Sequence, residues 1–119
     1  MKSISSSILD DKNKNGIGII PFLTSGFPNV ELTKDIILKL IDEKLCSAIE
    51  IGIPFSDPIA EGKTIQRSSS IALKNGVTID STLKTISEIN DYNKDTPIIS
   101  MGYYNPIIKI GIDNFFSGC

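Results

Sequence analysis

Two runs of branched apolar residues, 18–24 (Gly-Ile-Ile-Pro-Phe-Leu-Thr) and 48–53 (Ala-Ile-Glu-Ile-Gly-Ile), start about thirty residues apart, the period of a strand–helix–strand unit. Between them Asn29 stands where an N-cap belongs, ahead of a segment that carries Ile37, Leu40, Ile41 and Leu45 on one helical face. A crossover of that length joins parallel strands, because antiparallel neighbours need only a tight turn. The pattern continues. Residues 64–73 read as a helix stopped by Asn75-Gly76. Thr78 caps another, with Ile79, Leu83, Ile86 and Ile89 in one stripe. Residues 97–101 (Pro-Ile-Ile-Ser-Met) form a third strand. Residues 3–9 are expected to make a short leading helix, 10–16 a polar loop, and 111–116 the start of one more helix. Alternation of this kind predicts an α/β fold with a parallel sheet.

Two architectures continue such a pattern, a closed eight-stranded barrel and an open doubly wound sheet. The first strand–helix turn has neither G-x-G-x-x-G nor a P-loop, which weakens the nucleotide-binding open sheet. Each strand instead runs into polar or aromatic groups: Thr24 at the first, Glu50 and Glu61 around the second, Tyr103 after the third. Functional groups at the C-terminal ends of successive strands are the barrel-enzyme arrangement. A complete barrel takes about 250 residues. The 119 residues here have room for about three strand–helix units, so the chain is expected to be one incomplete domain.

Composition excludes several classes. A net charge of -2 with 22% charged residues offers no basic surface to nucleic acid or an anionic membrane. The longest apolar stretches fall short of a membrane span. Residues 1–7 have one lysine and no apolar run of signal-peptide length, so a cytoplasmic location is expected. Cys46 and Cys119 lie far apart with no histidine to share a metal, and are expected to be unpaired thiols in a reducing compartment. The absence of histidine rules out Ser-His-Asp and Cys-His catalysis within this chain. Chemistry has to rest on carboxylates, tyrosines, hydroxyls or backbone.

Glu50 is the carboxylate to follow. Alternation along a strand puts Ile49 and Ile51 on one face and Glu50 and Gly52 on the other. With both faces of a parallel sheet covered, Glu50 is expected to be desolvated, which raises a carboxyl's proton affinity and makes a general acid/base. The rival reading is a strand-end carboxylate satisfied by a neighbouring hydroxyl.

The run 49–58 (Ile-Glu-Ile-Gly-Ile-Pro-Phe-Ser-Asp-Pro) closely resembles the characteristic segment of the tryptophan synthase alpha subunit family. Residues 21–26 (Pro-Phe-Leu-Thr-Ser-Gly), Gly62, Ile65-Gln66 and 101–106 (Met-Gly-Tyr-Tyr-Asn-Pro) support it in the family's order and spacing. The resemblance implies a (β/α)8 TIM barrel, of which residues 1–119 would be the N-terminal portion. It implies a carbon–carbon lyase of tryptophan biosynthesis, cleaving indole-3-glycerol phosphate to indole and glyceraldehyde 3-phosphate by a retro-aldol reaction. It also implies a beta-subunit partner in an alpha2beta2 assembly, with pyridoxal phosphate in the beta subunit only and no cofactor or metal in this chain.

Residue by residue, Glu50 matches the family's catalytic glutamate. Glu61 stands where the family has an aspartate that accepts the indole N–H, a departure that adds one methylene. Lys63 stands where the family commonly has proline. Phe22 and Tyr103 match pocket walls, with core packing the rival for each. Asp57 reads either as a third acid or as a turn aspartate bonded to its own backbone. Thr24 and Ser25 read as turn hydroxyls, Gly26 and Gly52 as sites of backbone geometry and close packing. The family's phosphate loops follow its seventh and eighth strands and have no counterpart among these residues. Two hypotheses therefore stand: the N-terminal piece of an active lyase, or an inactive remnant that retains a beta-subunit contact.

Overall fold

The structure is a computed structural model and describes residues 2–118. Three strands, β1 (Phe22–Thr24), β2 (Ile49–Gly52) and β3 (Ile98–Met101), form one parallel sheet in the order β1-β2-β3. The register sets Phe22 and Ile99 beside Glu50, and Thr24 and Met101 beside Gly52. The sheet therefore has two kinds of face. Leu23, Ile49, Ile51 and Ile98 point to the core shared with α2 and α4, whereas Phe22, Thr24, Glu50, Gly52, Ile99 and Met101 share the opposite face. Order 1-2-3 excludes the flavodoxin-like 2-1-3 arrangement, and both a closed barrel and one half of a doubly wound sheet begin this way.

The helix-side core is built from Ile37 and Ile41 of α2 (Val30–Asp42), Ile49 and Ile51 of β2, and Ile86 and Ile89 of α4 (Ile79–Tyr92). Asn29 caps α2 as expected, its Oδ1 accepting from the Leu32 N–H at 2.8 Å. Thr78 caps α4 in a reciprocal box with Ser81. Between β2 and α4 lies α3 (Lys63–Lys74), which ends at Asn75 and Gly76 as the turn chemistry predicts. A second cluster, Ile53, Leu83 and Phe115, joins α4 to α5 (Tyr104–Ile110) and α6 (Ile112–Gly118).

Three expectations are corrected. The leading helix, α1 (Ile4–Asn15), runs through the polar stretch read as a loop and is closed by Gly16 in the left-handed conformation. Tertiary bonds hold that stretch helical: Ser47 Oγ donates to Asp11 at 2.6 Å, and Lys2 pairs with Asp10 at 2.7 Å. The buried residue of α1 is Ser7, not its apolar stripe, because its hydroxyl donates to the Ser47 carbonyl. Strand β1 begins at Phe22 rather than Gly18, since Pro21 has no N–H to extend the ladder. Its neighbour strand nonetheless stays bonded earlier, with the Ser47 and Glu50 N–H groups donating to the Ile19 and Pro21 carbonyls. The helix α2 stops at Asp42, so Leu45 lies beyond it and is exposed. Residues 104–110, between the third strand and the last expected helix, form the short helix α5.

Among the described residues no helix is long and apolar enough to cross a membrane. Cys46 is buried and unpaired, and Cys119 lies outside the described residues.

Candidate active site

The C-terminal ends of the three strands converge on one small cleft. It is lined by Phe22 and Thr24 of β1, by Gly52 and Ile53 at the end of β2, by Phe55, Pro58 and Glu61 of the following loop, and by Met101 and Tyr103 after β3. Three of the four candidate site residues, Phe22, Glu61 and Tyr103, thus meet in space although the outer two are separated by most of the chain. The physical reason is parallel pairing, which delivers each strand's exit loop to the same end of the sheet.

Each wall is held from behind. Thr24 Oγ1 shares a 2.7 Å hydrogen bond with Ser68 Oγ of α3, and Thr82 Oγ1 of α4 donates to Ser25 Oγ at 2.9 Å. Thr24 and Ser25 are therefore buried ties between β1 and two helices rather than turn hydroxyls facing water. Gly26 has φ +76°, and a Cβ there would collide with Val77. Gly52 serves a different purpose. A Cβ at Gly52 would lie 2.8 Å from Phe22 Cε2 and closer still to Cζ, so the tip of the phenyl ring packs against bare backbone.

Glu61 and Tyr103 are bonded to each other. The Tyr103 hydroxyl donates to Glu61 Oε1 at 2.9 Å and accepts from the Ile59 and Ala60 N–H groups at 3.2 and 3.4 Å. Phe55 stacks on the tyrosine ring with centroids 4.8 Å apart and planes tilted by 30°. At the far side of the loop, Gln66 Nε2 donates to the Glu61 carbonyl at 2.8 Å. Phe55 and Gln66 had no assigned role in the sequence, although both sit inside the motifs quoted above. Lys63 is the first residue of α3, the one helical position where proline is favoured because its missing N–H is not needed. The change from proline to lysine there leaves the helix intact.

Glu50 differs from expectation in two respects. It is half-buried rather than enclosed, because the helices that bury Ile49 and Ile51 cover the opposite face of β2. It also lies outside the lining of the cleft, one pleat below Gly52 on the same face. Among the described residues its carboxylate has no hydrogen-bond partner, so the reading of a carboxylate satisfied by a nearby hydroxyl is not realised. Asp57 is exposed, accepts from its neighbour Ser56 Oγ at 2.6 Å, and takes no part in the cleft. Among the described residues no group of three or more His, Cys, Asp or Glu side chains is placed to hold a metal ion.

Comparison with known proteins gives a consistent result. Residues 8–119 match the family model described as tryptophan synthase alpha chain. The tryptophan synthase alpha chain of Petrotoga mobilis is 48% identical over 104 residues, covering 87% of this chain and 40% of that relative. The crystal structure of tryptophan synthase subunit alpha from Legionella pneumophila aligns with a TM-score of 0.86 at 35% identity, covering 99% of this chain and 45% of that one. A tryptophan synthase complex from Pyrococcus furiosus aligns at 0.77 and 44% identity, over 85% of this chain and 40% of that one. The chain spans about two fifths of the length of the tryptophan synthase alpha chains it matches. Its α/β fold is accordingly part of the TIM barrel of these neighbours. With the match running from α1 through α6 and taking in Phe22, Glu50, Glu61 and Tyr103, the chain belongs to the tryptophan synthase alpha chain family.

Proposed function

We propose that this chain forms the N-terminal part of a single TIM-barrel lyase domain that cleaves indole-3-glycerol phosphate to indole and glyceraldehyde 3-phosphate. The observation that carries the reading is the meeting of Phe22, Glu61 and Tyr103 at the strand ends, with Glu50 one pleat below on the same sheet face. Cleaving the bond between indole C3 and the glycerol carbon requires a proton at C3 and a base for the hydroxyl that becomes the aldehyde. Glu50 would do both: its carboxyl carries the proton to C3, and its carboxylate takes the one from the hydroxyl. Having no hydrogen-bond partner among the described residues, it is free to serve the substrate. Glu61 would accept the indole N–H, stabilising the positive charge that develops on the ring as C3 is protonated. Phe22 and Tyr103 would be the apolar walls that orient the ring.

On this reading the chain needs no cofactor of its own. It passes indole to a beta subunit that carries pyridoxal phosphate, in an alpha2beta2 assembly in the cytoplasm. The Pyrococcus furiosus structure, a tryptophan synthase complex, supports the partner assignment.

Indole release from indole-3-glycerol phosphate tests the proposal, with the chain alone and with a beta subunit. Glu50→Gln should lower turnover by about 10²–10⁴-fold, the usual worth of a general acid/base. Glu61→Asp restores the family residue and should retain turnover. Equal rates for the parent and Glu50→Gln would refute the assignment of Glu50. No indole from the parent under either condition would mean that these residues alone do not assemble the site, and the same assay with the remaining strand–helix units supplied would then decide between the lyase and a beta-subunit-binding remnant.

A further inference from the structure

We propose that Ser69 is a further polar contact in the cleft, and that it selects indoles carrying a hydroxyl on the ring edge opposite their N–H. The proposal rests on the reading of this cleft as an indole pocket. It starts from the run Ser68-Ser69-Ser70 inside α3. A serine within a helix ordinarily turns its hydroxyl back onto a carbonyl of the preceding turn or out to water. Ser68 does the first, donating to the Ile65 carbonyl at 2.9 Å. Ser70 is exposed to water. Ser69 does neither.

Only 6% of Ser69 is exposed, and among the described residues its Oγ has no hydrogen-bond partner. The unpartnered side-chain atoms that are sealed from solvent among those residues are Asn90 Oδ1 and Ser100 Oγ. Ser69 Oγ therefore keeps an open side, and the cleft that Ser69 lines with Ile65 provides it. A buried hydroxyl without a partner costs free energy that a ligand supplying the partner recovers.

The neighbouring polar groups are committed. The single proton of Ser68 goes to Ile65, so Thr24 is the donor in the 2.7 Å bond between their hydroxyls. The Tyr103 hydroxyl serves Glu61 Oε1 and the Ile59 and Ala60 N–H groups. Glu61 Oε2 and Ser69 Oγ are left without partners among the described residues. They stand at different heights along one wall. Glu61 precedes Lys63, where α3 begins, and the helical rise sets Ser69 about 9 Å along the axis from that start. The side chain of Ile65 lies between them. A ligand matching this order has an N–H at one end, an apolar ring body, and a hydroxyl at the far end.

Titrations of indole, 5-hydroxyindole, 6-hydroxyindole and 7-hydroxyindole, followed by NMR of the chain alone and with the remaining strand–helix units supplied, test this. The 5- or the 6-isomer, whose hydroxyl lies opposite the N–H, should bind about 3–10-fold tighter than indole, the net worth of one hydrogen bond between neutral groups. The 7-isomer carries the same group beside the N–H, away from Ser69, and should gain nothing. Ser69→Ala should abolish the gain and leave the affinity for indole itself unchanged. Equal affinities of the parent for indole and both distal isomers would overturn the proposal. So would a gain shared by the 7-isomer, or one that survives in Ser69→Ala, since either would belong to the ligand's own chemistry. If Ser69→Ala does not fold, Ser69→Cys, with a thiol that is only a weak donor and acceptor, takes its place in the same comparison. Indole that binds to no version under either condition would refute the indole-pocket reading, and the selectivity with it.

Discussion

Gly52→Ala isolates the contact that shapes the cleft. The glycine has an ordinary strand conformation, so an added methyl meets no backbone penalty. It meets Phe22: the new Cβ would stand 2.8 Å from Cε2 and nearer to Cζ, against about 3.5–4.0 Å for a comfortable carbon–carbon contact. The ring has to retreat by about an ångström, and strand pairing of Phe22 with Glu50 prevents the backbone from moving with it. Overpacking of this size costs about 1–3 kcal/mol. In a Phe22→Ala background the obstruction is gone, and Gly52→Ala should then stabilise by about 0.4–1 kcal/mol through the unfolded chain.

The two substitutions should therefore couple by about 1.4–4 kcal/mol, reaching past the upper end for residues in contact. Urea denaturation of the parent, both single variants and the double variant, followed by far-ultraviolet circular dichroism, measures this directly. A coupling below about 0.5 kcal/mol, the limit of ordinary additivity, would refute the idea that bare backbone at residue 52 is what seats the phenyl ring.

Two further predictions concern the core behind the site. Ile89 is fully buried where α4 meets β2, so Ile89→Ala should cost about 2–5 kcal/mol; a urea midpoint indistinguishable from the parent would contradict the core assignment. The Cys46 thiol is pushed up from its ordinary value, first by burial and then by the negative charge of Asp11. A raised folded-state value means that its stabilising contribution is whole below the unfolded pKa of about 9 and is lost as pH rises through the folded one. Urea midpoints at increasing pH should fall less steeply above pH ~9 in Cys46→Ala than in the parent, and parallel slopes would show that the thiol plays no part.

Much of this was legible from residue order alone. The thirty-residue spacing of two branched runs determined parallel strands and hence a common end for their exit loops. Asn29, Thr78 and the Asn75-Gly76 pair marked helix ends because capping is local chemistry, complete within three or four residues. The alternation of Ile49, Glu50, Ile51 and Gly52 settled which side chains share a face before any partner strand was known.

What local order could not decide was how much neighbouring structure would reach each group. Helical spacing marked Leu45 as apolar-faced, but the chain leaves the helix at Asp42 and the residue stays in water. The stretch 10–15 looked like loop because its stabilising partners, Ser47 foremost, lie more than thirty residues on. Glu50 was placed in the right strand and on the right face, yet its solvation depends on what covers that face, a property of packing rather than of alternation. The bond between Glu61 and Tyr103 joins residues 42 positions apart. Each was identifiable as a site residue in the sequence. That one hydroxyl ties both the carboxylate and the loop backbone follows only from parallel pairing, which delivers the two exits to the same end of the sheet.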